Sequence, residues 1–272
     1  MLEFDNVSYC YKRGQYAVKD VSLKVAAGEF VAVVGRNGSG KTTLTRLVMA
    51  LLKPAGGRIL LDGRDAAGRS TADMARQIGY VFQNPDRQIF RDTVAAEAAY
   101  GPEQLGFSAD EAAAAVAEAL TATGLSEMAE AYPRSLSKGQ KQRLAVASTL
   151  ALRPRMLILD EPTSGQDARE KLALMELLAG LNANGVAIVL VTHDMELVAR
   201  YAGRAVVMAE GRKVFDGSIR ELFAGGELAA WGLREPAAAA ISRRLADLGV
   251  APAIMPAELV RAVGQAGRES YA

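Results

Sequence analysis

Gly35-Arg36-Asn37-Gly38-Ser39-Gly40-Lys41-Thr42 stands between an apolar β-rich run, Phe30-Val31-Ala32-Val33-Val34, and a stretch in which Leu44, Leu47, Val48, Leu51 and Leu52 recur at intervals of three and four. Strand, glycine loop and helix in that order give the pattern G-x-x-x-x-G-K-[ST] its chemical meaning. Glycines let backbone N–H groups curl around an anion, and the helix that follows presents its positive N-terminal end. Lys41 then reaches the β- and γ-phosphates of a nucleotide, and the Thr42 hydroxyl binds Mg²⁺.

The rest of the 272-residue chain fits a large α/β domain with an appendage. The 32 basic and 31 acidic residues leave a net charge of +1, so no global charge drives the chain to nucleic acid or to an anionic membrane. A single cysteine, Cys10, excludes an intramolecular disulfide, fits a reducing compartment and reads as small apolar filler in the first strand. Met1–Tyr11 alternates like a strand rather than a hydrophobic leader, and apolar runs as long as any in the chain, such as Val186–Val191, are far short of a membrane span. Work at a membrane therefore requires docking to another protein.

Residues 2–9 and 17–25 read as strands joined by a turn near Gly14, and 58–62 and Gly79–Phe82 as shorter strands. From about 87 to 151 the chain turns Ala-, Glu- and Leu-rich. Ser108…Glu111 and Ser137…Gln140 are capping boxes that open helices there. Strands return at 156–159, 186–191 and 205–208. Apolar runs alternating with helices predict a parallel sheet covered on both faces, with the helical block inserted between two of its strands. From Gly225 the sequence is alanine-rich and helical, punctuated by Pro236, Pro252 and Pro256.

Four features narrow the nucleotide chemistry. The strand Met156-Leu-Ile-Leu-Asp160 ends in an acid placed to hold the Mg²⁺ shell, and Glu161 beside it is placed to orient a water against the γ-phosphate. Gln83 ends the strand Gly79–Phe82 with an uncharged amide that can touch Mg²⁺ or that water. His193, the sole histidine, follows strand 186–191, where parallel sheets bind ligands, and can donate to the γ-phosphate. Leu136-Ser137-Lys138-Gly139-Gln140 opens a helix with a hydroxyl, a glycine N–H and a helix N-terminus, a second anion site. Lying in the inserted block, it can cap the γ-phosphate held by another copy, making ATP the glue of a dimer.

In this order the motifs over residues 1–225 resemble the ATPase subunit of ABC transporters. The resemblance implies a P-loop NTPase (RecA-like) fold: a parallel-sheet core with an N-terminal antiparallel β subdomain, an inserted α-helical subdomain (about 87–151) and a small C-terminal helical appendage (225–272) after the 1–224 ATPase domain. It implies that Gly35, Asn37, Gly38, Ser39, Gly40, Lys41, Thr42 and Thr43 bind nucleotide and that Tyr11 stacks on adenine. Glu161, His193 and Gln83 are the catalytic set, and Thr42, Gln83 and Asp160 hold Mg²⁺. Ser137, Lys138, Gly139 and Gln140 act on the partner's ATP, and Asp167 belongs to the D-loop Ser164–Asp167. Lys138 and Gln166 depart from the commonest residues, glycine and leucine.

Val81–Phe90, followed by Thr93-Val94, Glu97 and Tyr100-Gly101-Pro102, resembles more narrowly the energy-coupling-factor family and its cobalt and nickel relatives, as do Gly232–Pro236 and Pro256–Val260 in the tail. That resemblance implies an importer of a vitamin or transition-metal ion at the cytoplasmic face of the cell membrane. Its partners would be a second ATPase subunit, identical or a paralogue, a transmembrane coupling subunit and a substrate-capture membrane protein, with no nucleic acid. Ile89 and Phe90 are expected to line a groove for a helix of the coupling subunit. A conventional ABC transporter subunit is the alternative.

Overall fold

The alternation of the first 25 residues folds as a long antiparallel hairpin, β1 (Leu2–Lys12) and β2 (Gln15–Val25), paired from Leu2↔Val25 to Lys12↔Gln15. The computed structural model describes residues 1–12, 14–225 and 227–269. Next come β3 (Phe30–Val34), the glycine loop and α1 (Lys41–Val48). β4 (Gly56–Leu61) and the short β5 (Arg64–Asp65), which the alternation did not reveal, complete a four-stranded antiparallel sheet in the order β2-β1-β4-β5.

After α2 (Thr71–Ala75) and β6 (Ile78–Val81) the helical block begins. It holds α3 (Val94–Gln104), α4 (Ala109–Ala122) and α5 (Lys138–Leu150). Both expected capping boxes, at Ser108 and Ser137, form. The chain re-enters the core through β7 (Met156–Asp160), α6 (Ala168–Ala183), β8 (Ala187–Val191), α7 (Met195–Tyr201) and β9 (Arg204–Ala209). It then continues through β10 (Arg212–Ser218), α8 (Ile219–Ala224), α9 (Ala237–Arg244) and α10 (Pro256–Glu269).

β3, β7 and β8 are buried at every residue, as a sheet covered on both faces requires. Six strands run in the order β10-β9-β3-β8-β7-β6, parallel except at the β9–β10 edge. That antiparallel edge corrects the all-parallel expectation. It turns through Glu210 and Gly211, both at positive φ (48° and 77°), the geometry of a tight hairpin. Glu-Gly is a weaker turn signal than Asn-Gly, which is why the hairpin is silent in the sequence.

The leucine periodicity runs to Leu52, but α1 stops at Val48. Ala50 takes φ 53°, with Ala50 N–H donating to Leu47 O and Leu51 N–H to Arg46 O, a Schellman stop made without glycine. α1 is packed between the two sheets: Leu44, Leu47 and Val48 share a core with Phe4, Val21 and Leu61 on one side and Val31, Val33 and Ile158 on the other. The opposite sheet face is covered by α5, α6 and α7. α5 serves two cores, with Leu144, Ala147 and Ala151 in the helical block and Ala145 and Val146 on the sheet. In the tail, Leu228 and Leu233 join the cluster of α7, β9 and α8, while Val250, Ala262 and Ala266 form a small separate cluster.

Leu157 in β7 is fully buried beneath α5 and α6 and lies where a Cβ on Gly79 would be 2.6 Å from its Cδ2. Leu157→Ala is expected to destabilise the protein by about 2–5 kcal/mol, the cost of a core cavity. Denaturant unfolding followed by circular dichroism measures it.

Candidate functional site

The loop after β3 closes around its own lysine. Lys41 Nζ donates to Gly35 O (2.7 Å) and Arg36 O (3.0 Å), while Ser39 N–H donates to Arg36 O (3.1 Å). Glycine is required at two points. A Cβ on Gly35 (φ 148°) would lie 2.2 Å from Met208 O, and one on Gly40 (φ 105°) 2.3 Å from Ala17 O. The result is a tight loop wrapped around Lys41 at the mouth of α1. Inside it the Ser39 hydroxyl is buried without a hydrogen-bond partner, so the cradle holds polar capacity that a phosphate oxygen satisfies.

Lys41 is 6% exposed. Burial lowers its pKa, and the carboxylates of Glu161 and Asp160 pull it partly back. Asp160, at the tip of β7, accepts from Thr42 Oγ1 (3.2 Å) and from the Tyr80 hydroxyl (3.4 Å). Burial raises its pKa above the ordinary aspartate value, and those hydrogen bonds, with Arg46 and Lys41, oppose the shift. The same surroundings push Tyr80 up to about 12, burial first and the Asp160 charge second. Tyr80, which also bonds Thr45 (3.2 Å), is a site residue that no motif marks.

Glu161 leaves the strand at φ 49°, a left-handed conformation for a residue with a Cβ, and donates its N–H to Val191 O at the end of β8 (2.9 Å). The turn swings its carboxylate toward the loop after β8, where Oε2 lies 2.8 Å from His193 Nδ1. A carboxylate can only accept, so the ring proton sits on Nδ1. The other carboxylate oxygen has no partner among the described residues.

A cavity of about 530 Å³ gathers Tyr11, Asn37, Gly38, Gly40, Lys41, Thr42, Thr43, Gln83 and Glu161. Gln15, Tyr16 and Ala17 of the first hairpin complete it, and nothing in their sequence announced them. Tyr11 is 57% exposed, packs edge-on against Tyr9 and reaches Thr43 Oγ1 with its hydroxyl (3.3 Å). Thr42 and Asp160 are hard oxygen donors side by side, and Gln83 lines the same cavity, which fits Mg²⁺ completed by substrate oxygens. Among the described residues no three His, Cys, Asp or Glu side chains form a metal cluster of their own.

Ser137, Lys138, Gly139 and Gln140 do not line this cavity. Ser137 caps α5, its hydroxyl accepting from Gln140 N–H (3.2 Å) and its own N–H donating to Gln140 Oε1 (2.8 Å). Lys138 Nζ lies over Gly165, where an added Cβ would be 2.3 Å away. Asp167 caps α6, accepting from Glu170 N–H (2.8 Å), and Gln166 is buried, donating to Pro162 O (3.2 Å).

The ABC transporter family model matches residues 18–164. A Methanosarcina acetivorans protein, provisionally named an ABC transporter ATP-binding protein, is 44% identical over 247 residues; the match covers 90% of this chain and 40% of that relative, so the chain spans about two fifths of its length. A Pyrococcus horikoshii protein with the same provisional name is 40% identical over 97% of this chain and 100% of its own. An energy-coupling factor transporter ATP-binding protein of Symbiobacterium thermophilum is 41% identical over 90% of this chain and 88% of its own. Among solved structures, cbiO1 of Clostridium perfringens, described as part of the ABC transporter complex cbiONQ, superposes with a TM-score of 0.77 at 35% identity, covering 84% of this chain and 92% of that one. A dimeric ATP-binding cassette in a post-hydrolysis state with ADP and Pi gives 0.72 at 30% identity, covering 81% and 99%.

A buried carboxylate with a raised pKa is worse off ionised in the folded chain than in the unfolded one, so its penalty is complete above the folded pKa and fades as pH falls through the carboxylate range. Asp160→Asn is therefore expected to raise the melting temperature of the nucleotide-free protein at neutral pH, with the gain shrinking at acid pH. The same substitution should weaken Mg-dependent nucleotide binding, measured by calorimetry.

Proposed function

The chain belongs to the ABC transporter family, and from that premise we propose that it is the ATP-hydrolysing subunit of an energy-coupling-factor importer. The observation that carries the catalytic reading is Glu161. Its carboxylate is turned out of the strand beside Asp160, tied to His193 at 2.8 Å and placed on the wall of the cavity that holds Lys41 and Thr42. Lys41 and the loop N–H groups bind the β- and γ-phosphates. Glu161 accepts a proton from the attacking water, and His193, donating from Nδ1, keeps that carboxylate oriented. Thr42, Asp160 and Gln83 would hold Mg²⁺, which when bound would neutralise charge on the phosphates. Tyr11 takes the adenine face.

Ser137 and Gly139 act on the ATP of a second cassette, identical or a paralogue, so that two chains share two nucleotides. Their placement outside this chain's own cavity supports that division. We take residues 1–224 as the cassette, with the helical block at about 87–151 as its moving part and 225–272 as an appendage. The cargo class, a vitamin or transition-metal ion, rests on the Val81–Phe90 and tail sequences and on the similarity to energy-coupling-factor relatives. The chain attaches peripherally to a coupling subunit at the cytoplasmic face; among the described residues no helix is long and apolar enough to cross a membrane.

The expected partner surface is divided. Ile89 packs under the helical block, whereas Phe90 is 60% exposed, stacked edge-on with Tyr100 at 4.8 Å. Arg91 lies over Tyr100 (4.7 Å), and Glu97 accepts from the N–H groups of both Phe90 and Arg91. Phe90 and Arg91 thus form a rigid exposed knob suited to a helix of the coupling subunit.

Glu161→Gln should keep ATP affinity and lower turnover by about 10²-fold or more, the worth of a general base. With hydrolysis so blocked, Mg-ATP should convert monomer to dimer on light scattering, and Ser137→Arg should prevent it. Near-normal turnover in the first variant removes Glu161 from its role. Phe90→Ala with Arg91→Glu should leave ATP binding and melting temperature close to wild type while abolishing co-purification with the membrane subunit. Normal assembly by the folded double variant would place the docking surface elsewhere.

A further inference from the structure

A second cleft, of about 380 Å³, lies on the outer flank of the phosphate loop. Arg36, Asn37 and His193 form one wall, and Gly232, Leu233 and Arg234 of the C-terminal segment form the other. The segment is fixed in place. Leu233 is buried in the cluster of α7 and β9, and its N–H donates to Leu228 O (2.8 Å). Trp231 packs on Phe215, and Ala237 N–H donates to Glu196 Oε1 (2.7 Å). Gly232, at φ 67°, approaches Arg36 so closely that a Cβ would lie 2.3 Å from Arg36 Cδ. The stem of Arg36 is thus held against the tail. Arg36 and Arg234 are both exposed, and neither forms an ion pair among the described residues. Two unpaired guanidinium groups facing one cleft are a receptor for a carboxylate.

The chain also carries a carboxylate in need of such a receptor. Ser137 Oγ donates to Glu170 Oε1 (3.4 Å), and a Cβ on Gly139 would lie 2.3 Å from that same oxygen. Glu170 therefore covers the very groups that act on the partner's γ-phosphate. Two anions cannot share Ser137 and Gly139 without strong repulsion. When Ser137 and Gly139 of one copy close over the phosphate held by another, Glu170 must give up those groups and needs a cation to face instead.

We propose that the cleft between the phosphate loop and the C-terminal segment receives Glu170 of a second copy of this chain, with Arg234 and Arg36 as its cations. The proposal rests on the reading that two copies share ATP. It gives the tail a part in nucleotide-driven closure: Arg234 completes a receptor that the phosphate loop only half builds.

The test uses full-length protein carrying Glu161→Gln, so that the ATP-bound dimer accumulates, and reads the ATP concentration for half-maximal dimer by light scattering. Adding Arg234→Glu should raise that concentration about tenfold or more, as reversal of an interface charge does. Glu170→Arg should weaken closure likewise by facing Arg234 with a third cation. In an equimolar mixture of the two variants, both contacts of the mixed dimer are oppositely charged, so it should form at lower ATP than either variant alone. Arg234 is exposed, so its reversal leaves folding intact. If Arg234→Glu dimerises at the ATP concentration of its parent, or if the mixture gains nothing, the proposal fails while the ATP-joined dimer stands; this is also the outcome if Lys138 of the same chain takes up Glu170. If the Glu161→Gln parent forms no ATP-dependent dimer, the shared-nucleotide reading fails and takes this proposal with it.

Discussion

The buried ammonium of Lys41 is the constraint around which the site is organised. An ammonium removed from water must be hydrogen-bonded and faced by negative charge. The chain meets that demand locally with the carbonyls of Gly35 and Arg36 and at longer range with Asp160 and Glu161. The first pair bends the loop into a ring. The second ties the ring to the end of β7. Once Lys41 is placed, the N–H groups of the loop, the Thr42 hydroxyl and the two acids have little freedom left. A nucleotide then meets a site already polarised toward its phosphates.

Much of this was legible because the residues that define the site are also those that define the fold. A strand of five buried apolar residues can only be a central strand, and the glycines that follow it can only turn. Asp160, Glu161 and His193 stand out in the sequence because each ends or follows such a strand. The serine caps at 108 and 137 were equally legible, since a hydroxyl and an acid or amide three residues apart interact locally.

What escaped the sequence depends on distant approach. Tyr80 reaches Asp160 across 80 positions, and Gln15 and Tyr16 line the cavity only because the first hairpin folds over α1. Gly232 looks like an ordinary tail glycine until it is seen against Arg36, nearly 200 positions away. The Schellman stop at Ala50 and the Glu210-Gly211 hairpin place Ala50 and Glu210 in a left-handed conformation that neither residue type favours. Glu161 is a third such case. Its positive φ costs of order 1 kcal/mol and is maintained by the bond to β8, which sets the carboxylate where its neighbours in sequence could not.

α5 has a mechanical consequence. With Leu144, Ala147 and Ala151 locked into one core and Ala145 and Val146 into another, the helix cannot slide in either without dragging the other. It behaves as an axle shared by two gears. Any torque applied to the helical block is delivered to β6 and β7, the strands that lead to Gln83 and end at Asp160, and any adjustment there is returned along the same rod to Ser137. A stiff connector of this kind transmits rotation in both directions with little loss, so the chemistry at one end and the load at the other are felt as one displacement.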